Sequence, residues 1–180
     1  VAMVSGSGNV ATYCIEKLYQ LGALPVTCSD SSGFIYDEEG IDLALLKDIK
    51  EVRRERLTEY VKARPNAKYF PGETVWDFEV AAELAFPCAT QNEIGLDQAK
   101  VLVKNGVRIV AEGANMPSSL EAADYFIEEG LYYCPGKAAN AGGVAVSALE
   151  MSQNSQRLQW EKEKVDQELD KIMKNIYENC

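Results

Sequence analysis

A chain of 180 residues, 47% of them hydrophobic, carries enough apolar material for one domain of ordinary size with its own core. Its net charge of −10 argues against nucleic acid or an anionic membrane as the main partner. Without a run of about 18 apolar residues, no transmembrane helix is expected. Histidine is absent, which removes Ser-His and Cys-His nucleophile pairs and any histidine-ligated metal site. The five cysteines, Cys14, Cys28, Cys88, Cys134 and Cys180, are scattered and show no C-x-x-C spacing, so they read as reduced thiols of a cytoplasmic protein that holds no metal.

The chain opens on Val1-Ala2-Met3-Val4-Ser5-Gly6-Ser7-Gly8-Asn9-Val10-Ala11, a short apolar run that breaks into glycines and restarts as a helix. It spells G-x-G-x-x-A between a strand and a helix. Gly6 allows the tight turn, Gly8 lets a pyrophosphate approach the backbone, and Ala11 lets helix and strand pack closely. The N–H groups of the helix start then face the phosphates. Val10, Cys14, Leu18 and Leu21 follow at helical spacing. The chain begins inside this first strand with no initiator Met or signal peptide, so it reads as a piece of a longer protein.

A second apolar run, Leu24 to Cys28, ends in the polar cluster Ser29-Asp30-Ser31-Ser32-Gly33. Asp30 falls 19 residues after Ala11, where a dinucleotide-binding unit places a polar or acidic group against the adenosine ribose. From Ile41 to Ala63 the pattern predicts a highly charged helix. On it, Lys50, Arg53 and Arg56 would span roughly 120° of the surface and converge on one anion. That set reads either as a 2′-phosphate clamp or as a solvated face.

Pro65 to Glu73 predicts a loop with at most a short edge strand. Strand and helix then alternate. Ala82–Phe86 is a predicted strand, followed by the loop Pro87 to Glu93 and a helix to Lys104 with Asp97 as its N-cap. Val107–Ala111 is the next strand, then the loop Glu112 to Pro117 and a helix over Ser118–Glu129. Leu131–Cys134 closes the series and runs into Pro135 to Gly143. Beyond Val144 the chain is helical, and Val165, Leu169, Ile172 and Ile176 form a packing stripe.

This rhythm predicts an α/β fold: a doubly wound, mostly parallel Rossmann-type sheet with helices on both faces and a long helical C-terminal tail. Residues 1–143 form the dinucleotide-binding domain. Residues 144–180 form a tail packed on it and bordering the substrate cleft. Five stretches rich in small polar residues each follow a predicted strand: Gly6–Ala11, Ser29–Ser32, Thr90–Asn92, Gly113–Asn115 and Gly136–Gly143. Ligands of such sheets bind outside the carboxyl ends of the strands, so the five loops are expected to share one crevice.

Two other motif matches fail on context. Gly130 to Lys137 is one residue too long for a phosphate loop, and Ala138 replaces its hydroxyl. Tyr13 and Lys17 match a Tyr-x-x-x-Lys pair but lie in the first helix, away from the strand ends.

Pro87-Cys88-Ala89-Thr90-Gln91-Asn92-Glu93, Glu112-Gly113-Ala114-Asn115-Met116-Pro117 and Pro135 to Gly143 strongly resemble the glutamate dehydrogenase family, as do Ser152-Gln153-Asn154-Ser155 and the segment around Trp160. The resemblance covers the whole chain and points to the coenzyme-binding domain of the small-subunit, hexameric type. It implies reversible conversion of L-glutamate, water and an oxidised nicotinamide cofactor into 2-oxoglutarate, ammonia and the reduced cofactor. It places Ser7, Gly8, Asn9 and Val10 on the pyrophosphate, Ser29 and Asp30 near the adenosine ribose, and Ala89 and Thr90 along the cofactor. Asn115 and Asn140 would lie near the nicotinamide end, and Val144 and Ser147 would line the glutamate side-chain pocket.

The family's catalytic lysine and aspartate belong to a separate N-terminal domain that no segment here matches. This chain is therefore expected to contain no catalytic residue and to be inactive alone. Assembly into a homo-hexamer would run through that other domain. The Ser29-Asp30-Ser31 run resembles NADP-preferring members, which favours NADP, with NAD as the alternative. Two other functions stay open: an amino-acid dehydrogenase acting on branched-chain or aromatic substrates, and a nucleotide-binding module without catalysis.

Overall fold

A computed structural model describes residues 1–179. The first strand, β1 (Ala2–Val4), is buried throughout because both of its faces are covered. Strand side chains alternate between faces, and the two cores follow that alternation: Ala2 and Val4 pack in one cluster, Met3 in the other. Helix α1 (Asn9–Gln20) buries Ala11, Thr12, Ile15 and Leu18. The core stripe therefore lies beside the predicted one, leaving Val10 and Leu21 50% and 73% exposed.

The second predicted strand starts three residues into its apolar run and ends two residues past it, as β2 (Thr27–Asp30), and turns straight into β3 (Gly33–Tyr36). With β4 (Lys68–Pro71) these make an antiparallel sheet in the order β2-β3-β4. Gly33 is obligatory there, since a Cβ would stand 2.2 Å from Phe70 O. The other sheet is parallel, β1-β5-β6-β7, with β5 (Leu84–Phe86), β6 (Ile109–Ala111) and β7 (Tyr132–Cys134).

A short parallel bridge between Ala2 and Pro25 joins the two sheets. Buried Thr27 completes the seam: its hydroxyl accepts from Val4 N at 2.8 Å and donates to Val4 O at 3.0 Å. The architecture is thus α/β with a parallel core sheet, and the antiparallel hairpin extends it on the β1 side.

The expected helix over Ile41–Ala63 does not form as one element. Asp42 caps α2 (Leu43–Lys47), which widens into a π-helical stretch over Asp48–Arg53. The helix stops at Arg54, in the left-handed region at φ 55°, and α3 (Thr58–Ala63) starts afresh. Between Ile49 and Leu57, both buried, lies no apolar anchor that would hold a continuous helix to the core, and Val52 is 74% exposed. The segment bends toward the β2–β3 turn instead, where Leu57 N donates to Asp30 Oδ2 at 3.1 Å.

On the opposite face, α4 (Leu96–Lys104), α5 (Leu120–Glu128) and a 3-10 turn at Val75–Asp77 cover Met3, Phe34, Ala85 and Val110. Gly95 caps α4 in place of Asp97, because Gln98 reaches back to accept from Gly95 N at 3.1 Å. Three helices end the described chain: α6 (Gly136–Ala139), α7 (Ala141–Gln156) and α8 (Lys162–Asn179). The last two pack on each other near Gly142, Leu169 and Met173. Val165, Leu169, Ile172 and Ile176 are half-buried in that hairpin. No described helix is long and apolar enough to cross a membrane.

Candidate functional site

Parallel strands β1, β5, β6 and β7 end on one side of the sheet, and their loops surround a cavity of about 1190 Å³. Asn9, Val10, Ala89, Thr90, Asn115, Asn140 and Val144 all line it. Four of the five predicted loops therefore converge. The fifth, Ser29–Ser32, lies across the glycine turn from the cavity, hydrogen-bonded to Gly6.

The turn itself is held tightly. Gly6 N donates to Ser29 Oγ at 2.7 Å and Cys88 N donates to Ser5 Oγ at 2.9 Å. Gly6 sits at φ +84°, with Cys88 O only 2.9 Å from where a Cβ would stand. Gly8 differs: it has nothing within 4 Å of its Cβ position. It caps α1 without a side-chain hydrogen bond, and no acidic residue occupies the first helical turn. Uncapped N–H groups beside open space suit an anion, and the opening next to the cavity suits an extended dinucleotide.

Asp30 is engaged on both oxygens. Oδ1 accepts from Ser32 N at 2.8 Å and Oδ2 from Leu57 N, so the carboxylate shapes the hairpin tip. Of the three predicted cations, only Arg56 reaches that tip, donating to Ser31 Oγ at 2.5 Å. Lys50 donates to Glu55 O at 3.1 Å, and Arg53 pairs with Asp48 at 2.8 Å and Glu55 at 3.1 Å. The three do not share a helix face, because the helix that would have aligned them breaks at Arg54.

Two carboxylates that the sequence reading left out of the site hold its loops. Glu93 Oε1 accepts from Ala89 N at 3.1 Å and Thr90 N at 3.2 Å, while Oε2 accepts from the buried Trp76 indole at 2.8 Å. Glu112 is 3% exposed. Its Oε1 accepts from Tyr133 OH at 2.8 Å and its Oε2 from Gly136 N at 2.7 Å. Burial, and then this carboxylate, push the Tyr133 phenol pKa up. The one advance signal is Thr90-x-x-Glu93, the spacing of a capping box.

Asn140 Nδ2 donates to Asn115 Oδ1 at 2.7 Å and more weakly to Ala114 O at 3.3 Å, closing the far end of the crevice. Val144 is 77% exposed on the first turn of α7. Ser147 follows one turn on, exposed, its hydroxyl donating to Gly143 O at 3.3 Å. Tyr13 and Lys17, set aside as a motif, nevertheless line the α1 wall of the cavity beside Val10, Cys14, Leu18 and Leu21.

The family model described as Glutamate/Leucine/Phenylalanine/Valine dehydrogenase matches residues 1–180. The chain is 55% identical over 186 residues to the NADP-specific glutamate dehydrogenase of Helicobacter pylori strain J99, a match covering 99% of this chain and 41% of that protein. It is 54% identical over 181 residues to the NAD(P)-specific glutamate dehydrogenase of Xylanibacter ruminicola, covering 99% and 40%. The crystal structure of Plasmodium falciparum glutamate dehydrogenase superposes with a TM-score of 0.94 at 52% identity, covering 99% of this chain and 38% of that one. The chain spans about two fifths of the length of these relatives. Matched by the family model from its first residue to its last, the chain belongs to the glutamate, leucine, phenylalanine and valine dehydrogenase family.

Proposed function

We propose that this chain is the nucleotide-binding part of a glutamate dehydrogenase that uses NADP. The observation that carries the reading is the crevice: four strand-end loops around one cavity, opening beside the uncapped start of α1. Identity of 55% to an NADP-specific glutamate dehydrogenase supports the substrate.

In this reading, Ser7, Gly8, Asn9 and Val10 receive the pyrophosphate, and Gly6 supplies the turn. Ser29 and Asp30 border the adenosine ribose. Ala89 and Thr90 follow the cofactor toward Asn115 and Asn140 at its nicotinamide end. The bound cofactor supplies a hydride acceptor. The chain's own residues orient it: Glu93 and Glu112 fix the loops, and the Asn140–Asn115 bond sets the end wall. Val144 and Ser147, on the exposed face of α7, would meet the glutamate side chain once a second domain closes over them. That domain would supply the acid–base lysine and aspartate and the contacts of a homo-hexamer in the cytoplasm. The tail from 144 to 180 borders the cleft between them.

NADP is favoured over NAD at the hairpin. Both Asp30 oxygens are engaged by backbone N–H groups, which offsets their repulsion of a 2′-phosphate, while Ser31, Ser32 and Arg56 offer donors. The NAD(P)-specific relative keeps NAD as a second reading. The full-length protein should reduce NADP with glutamate far faster than with leucine, valine or phenylalanine. A preference for any of those three would replace glutamate as substrate.

A further inference from the structure

Glu93 stands between the protein core and the crevice. One oxygen, Oε1, accepts from Ala89 N at 3.1 Å and Thr90 N at 3.2 Å, while Oε2 accepts from Trp76 Nε1 at 2.8 Å. Trp76 has no exposure, and its 3-10 turn is tied to α4, where Gln98 Nε2 donates to Asp77 Oδ1 at 2.9 Å. The backbone around Glu93 is fixed separately: Asn92 N and Ile94 N donate to Met116 O and Pro117 O, both at 2.9 Å. Asn92 sits in the left-handed region, at φ 55°. Glu93 is therefore a post set from two sides, and Ala89 and Thr90, exposed on the crevice wall, lean on it.

We propose that Glu93 is a positioning residue for hydride transfer, and that the Trp76 indole makes a carboxylate, and not an amide, the group required there. The inference rests on the crevice taking the nicotinamide cofactor. A carboxylate brings two accepting oxygens and no donor, so the loop and the indole are both answered. A glutamine of the same length has one oxygen. With that oxygen toward the loop, its NH2 group meets the Trp76 N–H; turned round, the NH2 group meets the N–H groups of Ala89 and Thr90. Two donors face each other in either case, and the exposed loop gives way before the buried indole.

The consequence falls on the chemical step more than on affinity. The residues assigned to the pyrophosphate and the adenosine ribose, Ser7 to Val10 with Ser29 and Asp30, lie on the start of α1 and the hairpin and make no contact with Glu93. Ala89 and Thr90 instead border the stretch of crevice leading to Asn115 and Asn140. Displacing them by about 1 Å would leave NADPH bound but out of line with the substrate, a misplacement that can slow the reaction by up to about a hundredfold.

The test compares the full-length protein with Glu93→Gln, Trp76→Phe and the double variant, thermal unfolding showing that each is folded. In the cofactor-free protein, hydrogen exchange at the Ala89 and Thr90 amides should rise at least about tenfold in Glu93→Gln. By calorimetric titration its NADPH affinity should stay within about threefold. Its kcat with glutamate should fall by about ten- to a hundredfold. Phenylalanine at position 76 removes the opposing donor, so the double variant should regain amide protection and most of kcat, while Trp76→Phe alone should stay close to the unsubstituted protein. The split between kcat and affinity in Glu93→Gln decides the matter by itself if the double variant does not fold. Unchanged exchange and kcat in Glu93→Gln, a folded double variant no better than Glu93→Gln, or a loss of NADPH affinity as large as the loss of kcat would each overturn the proposal. An unsubstituted protein that binds no NADPH would overturn the cofactor reading itself, and this inference with it.

Discussion

Glu112 Oε2 accepts the backbone N–H of Gly136 at 2.7 Å, so the end of β6 grips the start of the segment that carries Asn140. With the half-buried Tyr133 OH on its other oxygen, this buried carboxylate satisfies two donors, and the Gly136 N–H is itself buried. Glu112→Ala leaves both unpaired and should lower stability by about 1–3 kcal/mol. In the full-length enzyme it should also reduce kcat/KM, since Asn140 loses its register. Thermal denaturation beside steady-state kinetics checks both. Unchanged stability would show that the grip is not maintained in solution.

In the proposed reading, Arg56 is the one of the three predicted cations that sets cofactor choice, because it alone of them reaches the hairpin tip. Arg56→Gln should weaken NADPH binding by about tenfold, the 1.4 kcal/mol of one charge-assisted contact. NADH affinity should stay within error, and the salt dependence of NADPH binding should fall. Lys50→Gln and Arg53→Gln should each have a smaller effect, because Lys50 already serves Glu55 O, and Asp48 and Glu55 flank Arg53. Equal losses for NADPH and NADH in the Arg56 variant would remove it from the 2′-phosphate.

These two sites show how much could be read in advance. The glycine turn and the four crevice loops were legible, because turn chemistry and strand-to-loop order are local properties. Asp30 and Glu112 in their actual roles were not: their partners Leu57 and Gly136 lie 27 and 24 residues away. Strand β3 was hidden because the polar cluster before it reads as the end of an element, although it is the tip of a hairpin. The basic helix was overestimated because helical spacing from Ile41 to Ala63 does not reveal that Arg54 turns left-handed.

A third expectation concerns the buried charge beside β3. Asp37 has no exposure, and its Oδ2 accepts from Tyr60 OH at 2.9 Å and Arg64 Nε at 2.8 Å. Tyr60 OH in turn accepts from Asp42 N at 2.7 Å. Asp37→Asn removes the charge that Arg64 answers and should cost about 1–3 kcal/mol. Denaturant unfolding measures it, and catalytic constants normalised to folded protein should not change. A neutral result would mean that Arg64 finds another partner.

The crevice itself is tested most directly at Gly8. Its Cβ position is open and its φ of −86° is available to any residue, so Gly8→Val should fold, losing no more than about 1 kcal/mol because valine is a poor N-cap. A dinucleotide whose pyrophosphate rests on the start of α1 would collide with that side chain. Calorimetric titration of NADPH into the full-length protein should show one site per chain, and the Gly8→Val protein should lose at least about tenfold in affinity, the 1.4 kcal/mol of one displaced phosphate contact. Equal NADPH affinity in the two proteins, with the fold intact, would contradict the assignment of this crevice to the cofactor.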